Sequence, residues 1–166
     1  MKIALVSLVL ASFATLSLAA PPAAARSLIG HRAPEFVLND SAGGKVSLSG
    51  MEHGSVIVVT ALASWSPACR ANMPDLVAFA SNHPELAFVG IAIAERDGSI
   101  GVQQFISRFR VPFPIAMGDH IFEQVYRTNT VPTAFVIDRE GTIRAVLTGG
   151  EVRVDAIQSA IRELPR

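Results

Sequence analysis

Residues 55–62 read Ser-Val-Ile-Val-Val-Thr-Ala-Leu, an almost unbroken apolar run rich in β-branched side chains. A strand with one face in water alternates apolar and polar residues. A run without that alternation has both faces covered, as at the centre of an α/β sheet. The residues that follow fit a helix laid on one of those faces. Ser66 is a good N-cap and Pro67 a good first helical residue, so a helix is predicted over 67–81, kinked by Pro74.

The rest of the chain repeats the alternation. A second apolar strand is predicted over 86–93, and a helix over 102–110 with Val102, Phe105, Ile106 and Phe109 on one face. Residues 111–115 read as extended and 121–127 as a short helix. Two strands, 133–138 and 142–147, flank Arg139-Glu140-Gly141, a hairpin signal, and an amphipathic helix over 152–164 closes the chain. Upstream, 35–38 and 45–48 surround a Ser-Ala-Gly-Gly turn. The order implies a three-layer α/β sandwich with a mixed central sheet and an N-terminal β-hairpin.

A length of 166 residues suits one domain. Fourteen basic and fourteen acidic residues, with no run of Arg or Lys, exclude an electrostatic nucleic-acid footprint. The N-terminus reads as an export signal: Lys2, an uncharged apolar stretch over 3–18, then Ala23-Ala24-Ala25 before Arg26 as an Ala-x-Ala cleavage site. Leu18-Ala19-Ala20 is an alternative cut. An uncleaved membrane anchor is the rival, although a span needs about 20 apolar residues and Pro21-Pro22 interrupts the stretch near that limit. Residues 1–25 are therefore expected to be a signal peptide (or an N-terminal anchor), and 26–166 a domain that is periplasmic or secreted. Membrane contact is expected only if the segment is retained. No cysteine lies near the cleavage sites, which excludes a lipoprotein anchor. Thiols in such compartments tend to be oxidised.

Cys69 is the only cysteine, in Ala63-Ser-Trp-Ser-Pro-Ala-Cys-Arg70. One sulfur permits no internal disulfide. At the third helical position, the helix dipole and Arg70 favour its thiolate, whereas burial opposes it. Ser66 cannot replace a thiolate in disulfide exchange; it serves as N-cap and as a hydrogen-bond donor to the sulfur. No base is apparent, because His31, His53, His83 and His120 all lie far from Cys69 along the chain. A serine-hydrolase signature is also missing, no sulfur-rich metal site can form from one cysteine, and no cofactor is expected.

Several ordered motifs carry a family resemblance. Ala33-Pro34-Glu35-Phe36, Trp65-Ser66-Pro67-Ala68-Cys69-Arg70 with Met73-Pro74, Val111-Pro-Phe-Pro114, Thr130-Val131-Pro132-Thr133 and Phe135-Val-Ile-Asp138 occur in the order and spacing of the TlpA-like, redoxin-type periplasmic branch of the thioredoxin superfamily. That branch lies close to the peroxiredoxins, and the chain resembles it with the first active-site cysteine replaced by Ser66. The resemblance implies a thioredoxin-like fold and a cis Val131–Pro132 bond facing the helix start. It also implies Cys69 and Ser66 as the catalytic pair, and Trp65, Pro67, Val131, Pro132 and Thr133 as the substrate-binding set. The implied partner is an extended peptide, or a protein bearing a thiol or disulfide, paired through main-chain hydrogen bonds.

The activity so implied is thiol–disulfide oxidoreduction with the single thiol of Cys69. A non-catalytic binding module and a one-cysteine peroxidase are the alternatives; Ser66-Pro-Ala-Cys69 also resembles a peroxiredoxin Thr-x-x-Cys. Against the peroxidase, the peroxiredoxin proline is Leu62 here and its arginine falls near Pro132, leaving Arg127 or Arg144 as substitutes. Asn72 in place of an acidic residue, and Thr60-Ala61-Leu62-Ala63 in place of an aromatic strand end, also depart from the TlpA-like pattern.

Overall fold

The computed structural model describes residues 22–51 and 54–165. A short helix α1 (Pro22–Arg26) precedes the hairpin β1 (Val37–Asp40) and β2 (Lys45–Ser47). Then come β3 (Val56–Leu62), α2 (Pro67–Asn82), β4 (Leu86–Ala92), α3 (Gly98–Phe109), β5 (Ile115–Met117) and α4 (His120–Val125). The chain closes with β6 (Thr133–Ile137), β7 (Ile143–Thr148), a 3-10 turn (Gly149–Glu151) and α5 (Val154–Arg162).

The seven strands form one mixed sheet in the order β2-β1-β5-β4-β3-β6-β7. As its composition requires, β3 is central and buried at every position. It runs parallel to β4 and antiparallel to β6, with Leu62 opposite Ala92 and Ala61 opposite Thr133. Side chains alternate across its two faces. Ile57, Val59 and Ala61 join a core closed by α1 and α4. Val56, Val58 and Leu62 join a second core closed by α2, α3 and α5. The result is the three-layer α/β sandwich of thioredoxin-like proteins.

Aromatic rings bind the first core together. Phe36 meets Phe122 edge-on at 5.7 Å, Phe122 stacks on Tyr126 at 4.4 Å, and Tyr126 meets Phe135 edge-on at 5.0 Å. The buried Tyr126 hydroxyl donates to the Pro34 carbonyl at 2.8 Å, as a buried phenol must find a partner. The Ala33–Phe36 motif is thus the seam between the chain entering the sheet and α4. At the other end of β6, the Asp138 carboxylate shapes the hairpin: it accepts from the N–H groups of Glu140 (3.1 Å) and Thr142 (2.8 Å) and from Arg144 Nε (2.5 Å).

Three elements differ from the sequence reading. β5 forms where only an extended segment was expected, and it pairs with β4 on one side and β1 on the other. It is three residues long between Pro114 and Gly118, too short to signal itself. Helix α3 starts at Gly98 rather than near 102, because its first turn carries no apolar periodicity. The last helix is shorter than 152–164, running Val154–Arg162, and an unexpected 3-10 turn precedes it. Residues 22–25, expected within the leader, form α1 together with Arg26. The rest of the expected signal segment and His53 fall outside the described residues. Among the described residues no helix is long and apolar enough to cross a membrane.

Candidate active site

Helix α2 begins where the sequence places its cap. Ser66 is extended (φ −71°, ψ 122°), its Oγ accepts the Cys69 N–H at 3.4 Å, and its carbonyl accepts the Arg70 N–H at 3.0 Å. Pro67 opens the helix with its ring exposed, so Cys69 falls in the first turn, facing the sheet. There it packs in the second core, in one cluster with Leu62, Met73 and Ala134. The thiol is free and only 2% exposed.

Burial is not the only influence on this sulfur. The Ala63 N–H points at Sγ from 3.5 Å. Burial pushes the thiol pKa up; hydrogen bonds from Ser66 and Ala63 pull it down, the charge of Glu95 pushes it up again, and the net shift is upward. The helix dipole and Arg70 were the reasons to expect a thiolate. Arg70 is turned instead to the Ser64 carbonyl, to which its Nη1 donates at 3.1 Å. Of the two opposed expectations, burial wins.

Glu95 is the residue the sequence reading missed. Its carboxylate accepts from the Ser64 N–H (2.6 Å) and Ser64 Oγ (2.5 Å). No local motif marks it, since Ser64 and Glu95 are 31 positions apart. They meet because β3 and β4 are parallel and in register, so the residues just past both strand ends emerge side by side. The same loop holds Trp65: its Nε1–H donates to the Ala94 carbonyl at 2.8 Å, and the Arg96 guanidinium lies 4.0 Å above its ring. Ala94 takes a left-handed backbone conformation (φ +52°), unusual for a residue with a Cβ.

The Val131–Pro132 bond is cis. Pro132 lies one residue beyond the Ala61–Thr133 pair, and so borders the strand end that leads into Ala63 and Ser64. Its carbonyl accepts the Gly149 N–H at 2.8 Å. Val131 is half-buried and packs against both cores. Thr133 is wholly buried, with its hydroxyl donating to the Thr130 carbonyl at 2.7 Å, so its side chain offers nothing outward. Of the residues expected at the site, Pro67 is exposed and Trp65 and Val131 are half-buried, while Ser66, Cys69, Pro132 and Thr133 are buried.

Neither arginine considered for a peroxidase site reaches the sulfur. Arg127 donates to Ser27 Oγ at 2.6 Å, and Arg144 is paired with Asp138. His83 pairs with Glu85, and His31 contacts the Ile29 carbonyl. Asn72, at the place of the family's acidic residue, donates to the Val152 carbonyl at 2.6 Å and ties α2 to the segment before α5.

Comparison with known proteins gives a consistent picture. The chain is 27% identical over 127 residues to the thiol-disulfide oxidoreductase ResA of Bacillus anthracis, covering 75% of this chain and 72% of that protein. Its fold matches a secreted Mycobacterium tuberculosis disulfide oxidoreductase homologous to E. coli DsbE, with a TM-score of 0.67, 22% identity, and coverage of 78% of this chain and 96% of that one. A thiol:disulfide interchange protein of the thioredoxin family from Chlorobium tepidum matches with a TM-score of 0.67 and 23% identity, over 78% and 95% of the two chains. Residues 29–146 match the AhpC/TSA family. That span, the mixed sheet and the cis-proline loop beside the start of α2 identify the chain as a member of the AhpC/TSA family, on its TlpA-like thioredoxin-fold branch.

Proposed function

We propose that the chain is an exported thiol–disulfide oxidoreductase that meets its protein partner through one guarded thiol, Cys69, beside a peptide groove at Val131–Pro132. One observation carries this reading: the sulfur is buried yet hydrogen-bonded. The Ala63 N–H points at it from 3.5 Å, whereas a cysteine that merely fills space needs no such donor. The likeness to ResA supports the reading, as does the apolar segment after Lys2 for export.

In the reaction, deprotonated Cys69 attacks one sulfur of a partner disulfide. A bond forms between Cys69 and that sulfur, the partner's S–S bond breaks, and its second sulfur leaves as a thiolate. The chain has no second cysteine to resolve the product. An external thiol, either small or on a reduced protein, must attack the mixed disulfide and return Cys69 to the thiolate. Ser66 holds the sulfur and caps the helix without reacting. Because Cys69 is protonated and covered at rest, exchange requires Trp65 or the Val131 loop to move aside.

Incubation of the folded chain with an excess of an aromatic disulfide, followed by intact-mass analysis, tests this. A mixed disulfide on Cys69 that forms well below the denaturation midpoint, and is released by added thiol, is the expected result. The burial of Cys69 favours a second reading, a non-catalytic module that holds a peptide in the groove. Modification of Cys69 only upon global unfolding would establish that reading and sink the first. The variant Ser66→Cys separates scaffold from chemistry: in a folded variant it should restore dithiol exchange such as insulin reduction.

A further inference from the structure

A polar cleft of about 390 Å³ lies between α3 and the start of α2, within the size range of small-molecule sites. One stripe of α3 and its cap forms a wall: Asp97, Gly101, Gln104 and Arg108 recur every three or four residues. Ser64 and Arg70 line the cleft from the other side. Gly101 lets the two sides come close. A Cβ there would lie 3.2 Å from Ser64 Oγ and 3.2 Å from Asp97 Cβ, so a side chain at this position would crowd the cleft floor.

The charges in the cleft do not balance. Arg70 and Arg108 bring two guanidiniums against the single carboxylate of Asp97. Among the described residues neither guanidinium has an ion-pair partner, whereas Arg26, Arg144 and Arg153 are each paired with a carboxylate. Arg70 is steadied through Nη1 on the Ser64 carbonyl, and Arg108 makes only a distant contact with the Phe109 ring, at 5.8 Å. The cleft also adjoins the thiol along the chain. Ser64 follows Ala63, whose N–H points at Sγ, and Arg70 follows Cys69.

We infer that this cleft takes the external thiol that regenerates Cys69, and that this thiol is a small molecule bearing a carboxylate, held by Arg70 and Arg108. The inference rests on the oxidoreductase reading, whose mixed disulfide it resolves. The small thiolate attacks Cys69 Sγ. A bond forms between the two, the bond from Sγ to the partner breaks, and the partner leaves with both of its sulfurs reduced. A second small thiolate then attacks the sulfur of the first; Cys69 departs as the thiolate and the two small molecules leave joined as a disulfide. Two small thiols are oxidised for each partner disulfide reduced, and the protons they shed go to the partner's thiolates.

Modification of Cys69 by a small disulfide is the reverse of the last step, and intact-mass kinetics on the full chain follow it. The probes are 3,3′-dithiodipropionate and its uncharged dimethyl ester, each rate divided by that probe's rate with 2-mercaptoethanol. The carboxylate probe should react about fivefold faster than the ester, as exposed charge pairs allow. Arg108→Gln should bring that ratio towards one, and so should salt at about 1 M, where charges are screened within about 3 Å. Equal rates for the two probes, or a ratio that Arg108→Gln leaves untouched, would overturn the assignment of the cleft. If an aromatic disulfide still labels Cys69 in the folded chain, the oxidoreductase reading survives that result. Labelling by none of the three disulfides short of unfolding would remove both.

Discussion

At Cys69 the cost of an ionised sulfur away from water exceeds what the Ser66 and Ala63 hydrogen bonds return, and Glu95 adds to the same side. Two substitutions should therefore move the thiol in opposite directions. Glu95→Gln removes a negative charge and should lower the thiol pKa, speeding alkylation of the folded chain at neutral pH. Ser66→Ala removes a donor to the sulfur and should raise that pKa and slow the reaction. It also takes away the acceptor for the Cys69 N–H, so it should cost about 1 kcal/mol in urea denaturation. The pH profile of iodoacetamide labelling reads both shifts; a common direction for the two variants would refute this account of the site. The cap and the cysteine were legible from residue order, and the cis bond only through the family resemblance of Thr130-Val131-Pro132-Thr133. Glu95 was not, because its role depends on the register of two strands and no local pattern encodes that.

The elements that were easiest to read were those with strong periodicity or a distinct cap. β3 announced itself by an uninterrupted apolar run, and α2 by Ser66 and Pro67. β5 was invisible for the opposite reason: it is three residues long and owes its existence to neighbours on both sides. Its exit is tightly closed. A Cβ on Gly118 would lie 2.6 Å from Ile93 Cγ2, 2.9 Å from Ile91 Cγ2 and 3.1 Å from the Ala92 carbonyl oxygen. Gly118→Ala should thus destabilise the fold by about 1–3 kcal/mol through overpacking. Gly44→Ala, where the nearest atom is the Asp40 Cβ at 4.0 Å, is the control and should change the urea midpoint little. Equal midpoints for the two variants would mean that the sheet can yield at the end of β5.

For the molecule as a whole, the mixed sheet and its two cores followed from the alternation of apolar runs and amphipathic stretches. Helix α1 did not, because an alanine-rich leader end and an alanine-rich core segment have the same composition. Acid stability depends on a feature that was only half visible, Asp138 after β6. Burial pushes its carboxyl up, but the Thr142 N–H, the Arg144 guanidinium and the Glu140 N–H together hold it below the usual carboxylate range. A depressed folded-state pKa stabilises the fold above the unfolded value of about 3.9. That contribution is lost as the pH falls through the folded value. Asp138→Asn should cost roughly 1–3 kcal/mol at neutral pH and flatten the acid limb of the melting curve. An unchanged acid limb would assign that limb to other carboxylates.

Trp65 is the chain's only tryptophan, fastened to the loop after β4 by the Ala94 carbonyl and the Arg96 guanidinium. Its emission is therefore a built-in optical probe of a single place, the rim above the sulfur. A partner settling on Val131 and Pro67, or the loop lifting from the indole, should change the intensity or colour of that emission without any label. Kinetic traces recorded this way would time the opening of the site separately from the chemistry that follows.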